Sequence, residues 1–343
     1  MDNLTPFPGT GLMPAPAPLA HPIQSLRHAY RDPNAPVWHP AAVFQWRRVA
    51  AFVPAVLTTG VLAWAFGDWL STNGIWWLEW VLLAFVVATF FWIALAMGTA
   101  TLGLAVHRNQ QTARAGATPE PLRVALLVPI YNEDTAEVFG NASAMMSALR
   151  AARSSHRFEL FILSDTQDSD IAVAEQRAYA TLRATMPPDA PVWYRRRLQN
   201  TERKVGNIAQ WLENWGGAYE AMLVLDADSL MSPEAVIALS DEMSFDPTAG
   251  LIQSAPLVVG SDTLFGRMQQ FSASVYGMLL SQGLAGWTGS EGNYWGHNAI
   301  LRTRAFADCA GLPRMPSLRG KGGLILSHDF VEAGLLRRAG WAV

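Results

Sequence analysis

Two unbroken apolar segments, residues 49–70 and 78–106, limit what this chain can become more than any other feature. As a helix rising about 1.5 Å per residue, each is long enough to cross a hydrocarbon layer roughly 30 Å thick. The competing reading is a pair of helices buried in a soluble core. The flanks favour the membrane: Arg47 and Arg48 precede the first segment, and Arg108 and Arg114 follow the second. Asp68 and Glu79 mark the short connection, with Trp69, Trp76, Trp77 and Trp80 where an aromatic belt would sit. The same charge pattern predicts that both outer ends, and everything after Arg108, face the cytoplasm. Half of the 343 residues are apolar and only 15% are charged, low for a wholly soluble protein. A net charge of -3 gives no basic footprint, which argues against nucleic acid as a partner. The single cysteine, Cys309, rules out an internal disulfide and a cysteine-based metal cluster.

The expected organisation has three parts. Residues 1–45 are proline-rich with almost no apolar period, so they read as a disordered or loosely docked arm. They are not a signal peptide, since no charged start leads into an apolar stretch near the terminus. Residues 46–110 hold the two transmembrane helices. From 120 to 343, short apolar runs alternate with helical stretches, the pattern of an open α/β domain with a mainly parallel sheet. The runs "RVALLVPIYNED", "FELFILSDTQD", "VWYRRRL" and "AMLVLDADS" read as four strands, and Ser232 followed by Pro233 reads as the start of a helix. Leu264, Met268, Phe271, Val275 and Met278 fall at helical spacing, which fits either a core-packed helix or one lying along a membrane interface.

Ligands of open α/β sheets bind beyond the carboxyl ends of the strands. Here those ends carry Tyr131, Asn132, Glu133, Asp165, Asp168, Asp226 and Asp228. Successive strand side chains alternate, so Asp226 and Asp228 are expected to face the same way at the strand end. Two carboxylates on a short spacer suit a divalent cation, either Mg²⁺ or Mn²⁺, that grips a diphosphate. The plainer alternative, that one of them caps the next helix, competes with Ser232 for that role. Taken singly, Lys204 could be a solvated lysine at a helix start, His297 a loop hydrogen-bonder, Trp295 packing, and Asp329 an N-cap.

The ordered set "VPIYNED", "LSD", "RKVGN", "DADS" and "SHDFVEAG" resembles the inverting family-two glycosyltransferases of the GT-A fold, which include membrane-embedded cellulose and hyaluronan synthases. Through "NYWGHNAILR" and "LSHDFVEAGLLRRAGW" the chain is most similar to the bacterial glucosyltransferases that build the backbone of osmoregulated periplasmic glucans. The resemblance covers about residues 45 to 343.

It implies a Rossmann-like GT-A domain following two transmembrane helices in the bacterial inner membrane, with UDP-glucose as donor and a growing glucan as acceptor. Membrane lipid and accessory periplasmic glucan proteins are the other implied partners. Tyr131 and Glu133 would sit against uracil and ribose, Asp165 would contact the base, and Lys204 would lie near the nucleotide. Asp226 would face the ribose or sugar, Asp228 would hold the cation, and Asp329 would be the general base. Trp295, Gly296 and His297 would form the acceptor side. The Gln-x-x-Arg-Trp motif of processive relatives is absent, so the chain reads as an N-terminal fragment. Two alternatives stand beside this expectation: another β-glycan synthase, and a UDP-sugar sensor without turnover.

Overall fold

The computed structural model describes residues 13–38, 42–72, 74–110, 118–187, 189–315, 323, 325 and 327–343. In chain order its elements are α1 (Ala42–Ser71), α2 (Trp77–Gln110), β1 (Arg123–Ile130), α3 (Thr135–Ala152), β2 (Arg157–Ser164), α4 (Ser169–Thr185) and β3 (Val192–Arg196). There follow α5 (Arg203–Trp215), β4 (Ala221–Val224), α6 (Pro233–Phe245), β5 (Leu251–Gln253), α7 (Leu264–Ser272) and α8 (Met278–Thr288). The last are β6 (Ala299–Arg302), α9 (Thr303–Cys309) and α10 (His328–Ala339). They fall into two compact units, one spanning His39–Ala117 with Ala255–Gly292, the other the rest of the chain.

The first unit is helical. Both apolar segments form helices long and apolar enough to cross a membrane. A π-helical stretch, Ala273–Gly277, joins α7 to α8. Glycines let α2 and α8 meet backbone to backbone: a Cβ at Gly103 would run into the Leu279 carbonyl, and one at Gly283 into the Thr99 carbonyl. Arg48 closes the C-terminus of α8, its Nε donating to the Trp287 carbonyl at 2.9 Å and its Nη2 pairing with Glu291 at 2.6 Å. A cation is favoured there because the last carbonyls of a helix lack intrahelical donors. No residue of α7 is buried, and Leu264, Met268 and Phe271 are 79%, 61% and 69% exposed, so the core-packed alternative for this stretch does not hold.

Close approach at Gly283 has a measurable consequence. Gly283→Ala sets a methyl against the Thr99 backbone carbonyl, whereas at Gly286 the nearest atom to an added Cβ is a side-chain methyl, Val106 Cγ2, 3.0 Å away. Overpacking of the first kind costs about 1–3 kcal/mol. Gly283→Ala should therefore lower the melting temperature of detergent-solubilised protein by more than Gly286→Ala does; equal shifts would contradict the packing.

The second unit is a six-stranded sheet in the order β3-β2-β1-β4-β6-β5. The first four strands run parallel, and β6 is antiparallel to both β4 and β5. Helices cover both faces, which is why the strands read as near-continuous apolar runs. Along β1, Val124, Leu126, Val128 and Ile130 pack with α3, α4 and α6, while Ala125 and Leu127 pack with α5, α9 and α10. Strands β5 and β6, of three and four residues, carried no period that sequence reading could detect.

Residues 13–38 belong to the segment 1–45, expected to be disordered or loosely docked. They lie across the α/β unit as an extended strap, with Leu19 N donating to Leu212 O at 3.2 Å, Gln24 N to Gly311 O at 2.8 Å and Asp32 N to Ala339 O at 2.9 Å. Proline suppresses regular structure without preventing such sideways hydrogen bonds, so a proline-rich segment can dock without forming a helix or a strand. Residues 1–12 and 39–41 lie outside the described residues.

Candidate active site

Each parallel strand ends at one edge of the sheet and delivers a loop there. After β1, Asn132 takes a left-handed conformation, φ 58°, which asparagine tolerates better than most residues. Its Oδ1 accepts from Gln167 N at 3.1 Å and Asp168 N at 3.2 Å, tying the first loop to the one after β2. Beneath that second loop, buried Glu175 accepts from Ser164 Oγ at 2.7 Å, Thr166 Oγ1 at 2.5 Å and Tyr194 Oη at 2.8 Å. Burial, then the charge of Glu175, push the Tyr194 phenol up, so it remains a donor.

Asp165 is fixed from below. Arg197, at the end of β3, grips it with both arms, Nε to Oδ1 at 2.6 Å and Nη2 to Oδ2 at 2.7 Å, with 6% and 4% of the two side chains exposed. The same guanidinium reaches Arg203 O at 3.1 Å, where the chain enters α5.

These loops enclose a cavity of about 620 Å³ lined by Tyr131, Glu133, Asp165, Lys204, Asp226 and Asp228, together with Pro129, Ile130, Asn200, Arg203, Asn207 and Ala227. All six residues expected at a nucleotide-sugar site thus share one wall-to-wall space. Arg203 and Asn207 are the first and last residues of "RKVGN", where only Lys204 had been assigned a role, and Asn200 lies outside every motif quoted above. Asp168 belongs elsewhere: its Oδ1 accepts from Asp170 N and Ile171 N as the N-cap of α4. Ser232 caps α6 as expected.

The two aspartates that follow β4 are not on a strand. Asp226 O accepts from Ser229 N at 3.0 Å, closing a turn over 226–229, so strand alternation does not govern them. Both face the cavity nonetheless. Asp226 pairs with Lys204, whose Nζ also donates to Gly296 O at 2.9 Å, and His297 Nε2 lies 3.8 Å from the second Asp226 oxygen. Asp228 is exposed to the cavity and has neither hydrogen bond nor ion pair among the described residues. No group of three or more candidate metal ligands occurs among the described residues. One free carboxylate is still compatible with Mg²⁺ or Mn²⁺, which commonly take only one or two protein ligands beside a diphosphate and water.

Gly296 links this cluster to Asp329. It adopts φ 86°, and a Cβ there would stand 3.3 Å from Asp329 Oδ2, so glycine serves both the backbone and the carboxylate. Asp329 sits in the first turn of α10, whose cap position is Ser327, so it is not the N-cap considered above. Beside it, His328 lies 3.3 Å from buried Glu332. Burial pulls the His328 imidazole down, but the hydrogen bond and charge of Glu332, with Asp329 behind them, leave it raised overall. Fully buried Tyr294 lies beneath, its phenol pushed well up by burial and by Glu332, Asp226 and Asp329. Trp295 does not line the cavity; its backbone N–H donates to Gln253 Oε1 at 3.0 Å, and Gln253 Nε2 returns a bond to His297 O at 3.0 Å.

The glycosyl transferase family 2 profile matches residues 125–309. Glucans biosynthesis glucosyltransferase H of Vibrio cholerae is 43% identical over 298 residues, 87% of this chain and 41% of that protein. Its counterpart in Rhodopseudomonas palustris is 42% identical over 337 residues, 96% of this chain and 46% of that protein. This chain therefore spans less than half the length of either relative. A mannosyltransferase of Pyrobaculum calidifontis, solved with GDP-Man and Mn²⁺, aligns with a TM-score of 0.43 at 14% identity, covering 73% of this chain and 63% of its own.

Proposed function

This chain belongs to glycosyl transferase family 2, and from that premise we propose that it is the donor-binding and catalytic part of a membrane-embedded, inverting glucosyltransferase. It uses UDP-glucose to extend the β-linked backbone of an osmoregulated periplasmic glucan. The observation that carries the reading is the cavity that gathers Tyr131, Glu133, Asp165, Lys204, Asp226 and Asp228 from separate strand ends. Binding and general acid–base chemistry are supplied by different residues around it.

Uridine lies along Tyr131, Glu133 and Asp165. The diphosphate meets Arg203, Lys204 and the N-terminal turn of α5, whose unpaired N–H groups favour an anion. Asp228 would hold a divalent cation, which when bound offsets charge on the departing diphosphate. On the other side of the sugar, Asp329 takes the proton of the acceptor hydroxyl as that oxygen attacks the anomeric carbon. Gly296 and His297 stand between these posts and face the acceptor. The helical unit, with its broad exposed apolar surface, lies in the bacterial inner membrane, because that much open apolar area is costly in water.

Membranes carrying the protein should incorporate labelled glucose from UDP-glucose into polymer when Mg²⁺ or Mn²⁺ is present. Chelation and Asp228→Ala should each abolish incorporation. Tight UDP-glucose binding without polymer, whatever the acceptor or metal, would instead indicate a sensor.

A further inference from the structure

The strap, residues 13–38, takes no part in the cavity above. It nonetheless bonds to all three helices of the face that carries Lys204 and Asp329. On α5, Ala17 N donates to Asn214 O at 2.8 Å. On α9, the His21 ring stacks on Phe306 with centroids 5.8 Å apart, and Gln24 Nε2 donates to Asp308 O at 2.9 Å. On α10, Arg338 donates to Ser25 O at 2.5 Å, and Trp38 Nε1 donates to Gly340 O at 2.8 Å.

Its firmest hold is Asp32, a carboxylate only 2% exposed. Its Oδ1 accepts from Asn34 N at 2.8 Å, and its Oδ2 accepts from Trp341 Nε1 at 2.9 Å and from Cys309 Sγ at 3.6 Å. Burial and Asp32 push the Cys309 thiol up to about 12, so it stays a donor. Among the described residues the hydrogen-bond donors to Asp32 are all neutral, and a buried carboxyl group depends on each of them being in place. The two side-chain donors, Trp341 and Cys309, lie just past the C-terminus of α10 and at the end of α9.

The strap also pins the other end of the segment that bears Asp329. A Cβ at Gly311 would collide with the Pro22 carbonyl, so the chain leaving α9 is pressed directly against the strap. Gly311 before Asp329 and Trp341 after it are therefore both fixed by one part of the strap, residues 22–32. His21 and Ile23 further wall a second cavity, of about 310 Å³, that Lys204 and His328 also line.

We propose that this strap is a positioning element for the catalytic base, with Asp32 setting the placement of α10 and so of Asp329. Asp32 acts through Trp341 and the last turn of α10 and touches neither donor nor acceptor. The proposal rests on the glucosyltransferase reading for its effect on turnover, but not for its effect on α10.

The test uses Asp32→Ala, Asp32→Asn and Trp341→Phe in the protein in membranes or detergent. UDP should bind each variant with native stoichiometry and affinity. Glucose transfer per UDP-binding site should fall about 10- to 100-fold in Asp32→Ala, the scale expected from misplacing a catalytic group by about 1 Å. Asp32→Asn should recover part of the rate, because its carbonyl still accepts the Trp341 N–H. Hydrogen exchange should rise over 327–336 and stay native over 135–152. Unchanged exchange in α10 overturns the proposal whether or not the protein makes glucan. So does a fall in UDP-binding sites that matches the fall in rate, which would mean lost folding alone. A wild-type protein that makes no polymer, while Asp32→Ala loosens α10, sinks the glucosyltransferase reading and leaves the positioning intact.

Discussion

Asp329→Asn is expected to lower glucose transfer by about 10²- to 10⁴-fold, the usual contribution of a general base, while UDP-glucose still binds. The amide has the shape of the carboxylate but cannot accept the acceptor's proton. Its effect on the donor should be small, because Asp329 is not among the residues lining the 620 Å³ cavity. The Lys204–Asp226 pair and the Asp165–Arg197 pair both lie outside its contacts. The loss should thus appear in kcat, with the KM for UDP-glucose close to native. Single-turnover transfer from labelled UDP-glucose, beside UDP titration of the same preparation, separates the two. Near-native transfer in Asp329→Asn would remove Asp329 from the role of base.

Part of this architecture was legible because the residues that build it obey short-range rules. β1 and β2 are covered on both faces, so their apolar runs are continuous and end where polar loops begin. The acids that line the donor cavity stood out because carboxylates at three strand ends, those of β1, β2 and β4, have few structural uses. What escaped has physical reasons of its own. Asp226 and Asp228 share a cavity through a turn, not through strand alternation, so the right grouping followed from an argument that does not apply there. Asp168 looks identical to Asp165 in a string, yet one caps a helix and the other is clasped by an arginine 32 positions away. Arg197 sits in "YRRRL", where three adjacent arginines give no hint that their carbonyl and carboxylate partners lie on two separate segments, the loop after β2 and helix α5. The strap is the same case at larger scale: the bonds that dock it on α5, α9 and α10 are long-range, and composition reports only local tendency.

Arg197→Met should be the most damaging substitution to stability in the α/β unit. Deleting one partner of a buried ion pair costs about 3–5 kcal/mol, because the other charge is left without compensation. Here the stranded group is Asp165, with 4% of its side chain exposed and both oxygens now held by Arg197. Against a net stability of about 5–15 kcal/mol for a domain, that loss is large. It would also free the Arg203 carbonyl at the mouth of α5, loosening Lys204. An exposed pair offers the contrast: Arg314 and Glu202, 65% and 32% exposed, are worth about 0–1 kcal/mol, so Arg314→Met should leave melting nearly unchanged. Adding Asp165→Asn to Arg197→Met removes the orphaned charge and should restore part of the stability, although the nucleotide site stays impaired. Thermal melts of the three variants, with UDP binding at a temperature where each remains folded, distinguish lost stability from lost contact. Arg197→Met melting at the wild-type temperature would mean that water reaches Asp165, and that its carboxylate is free to meet the base without help from β3.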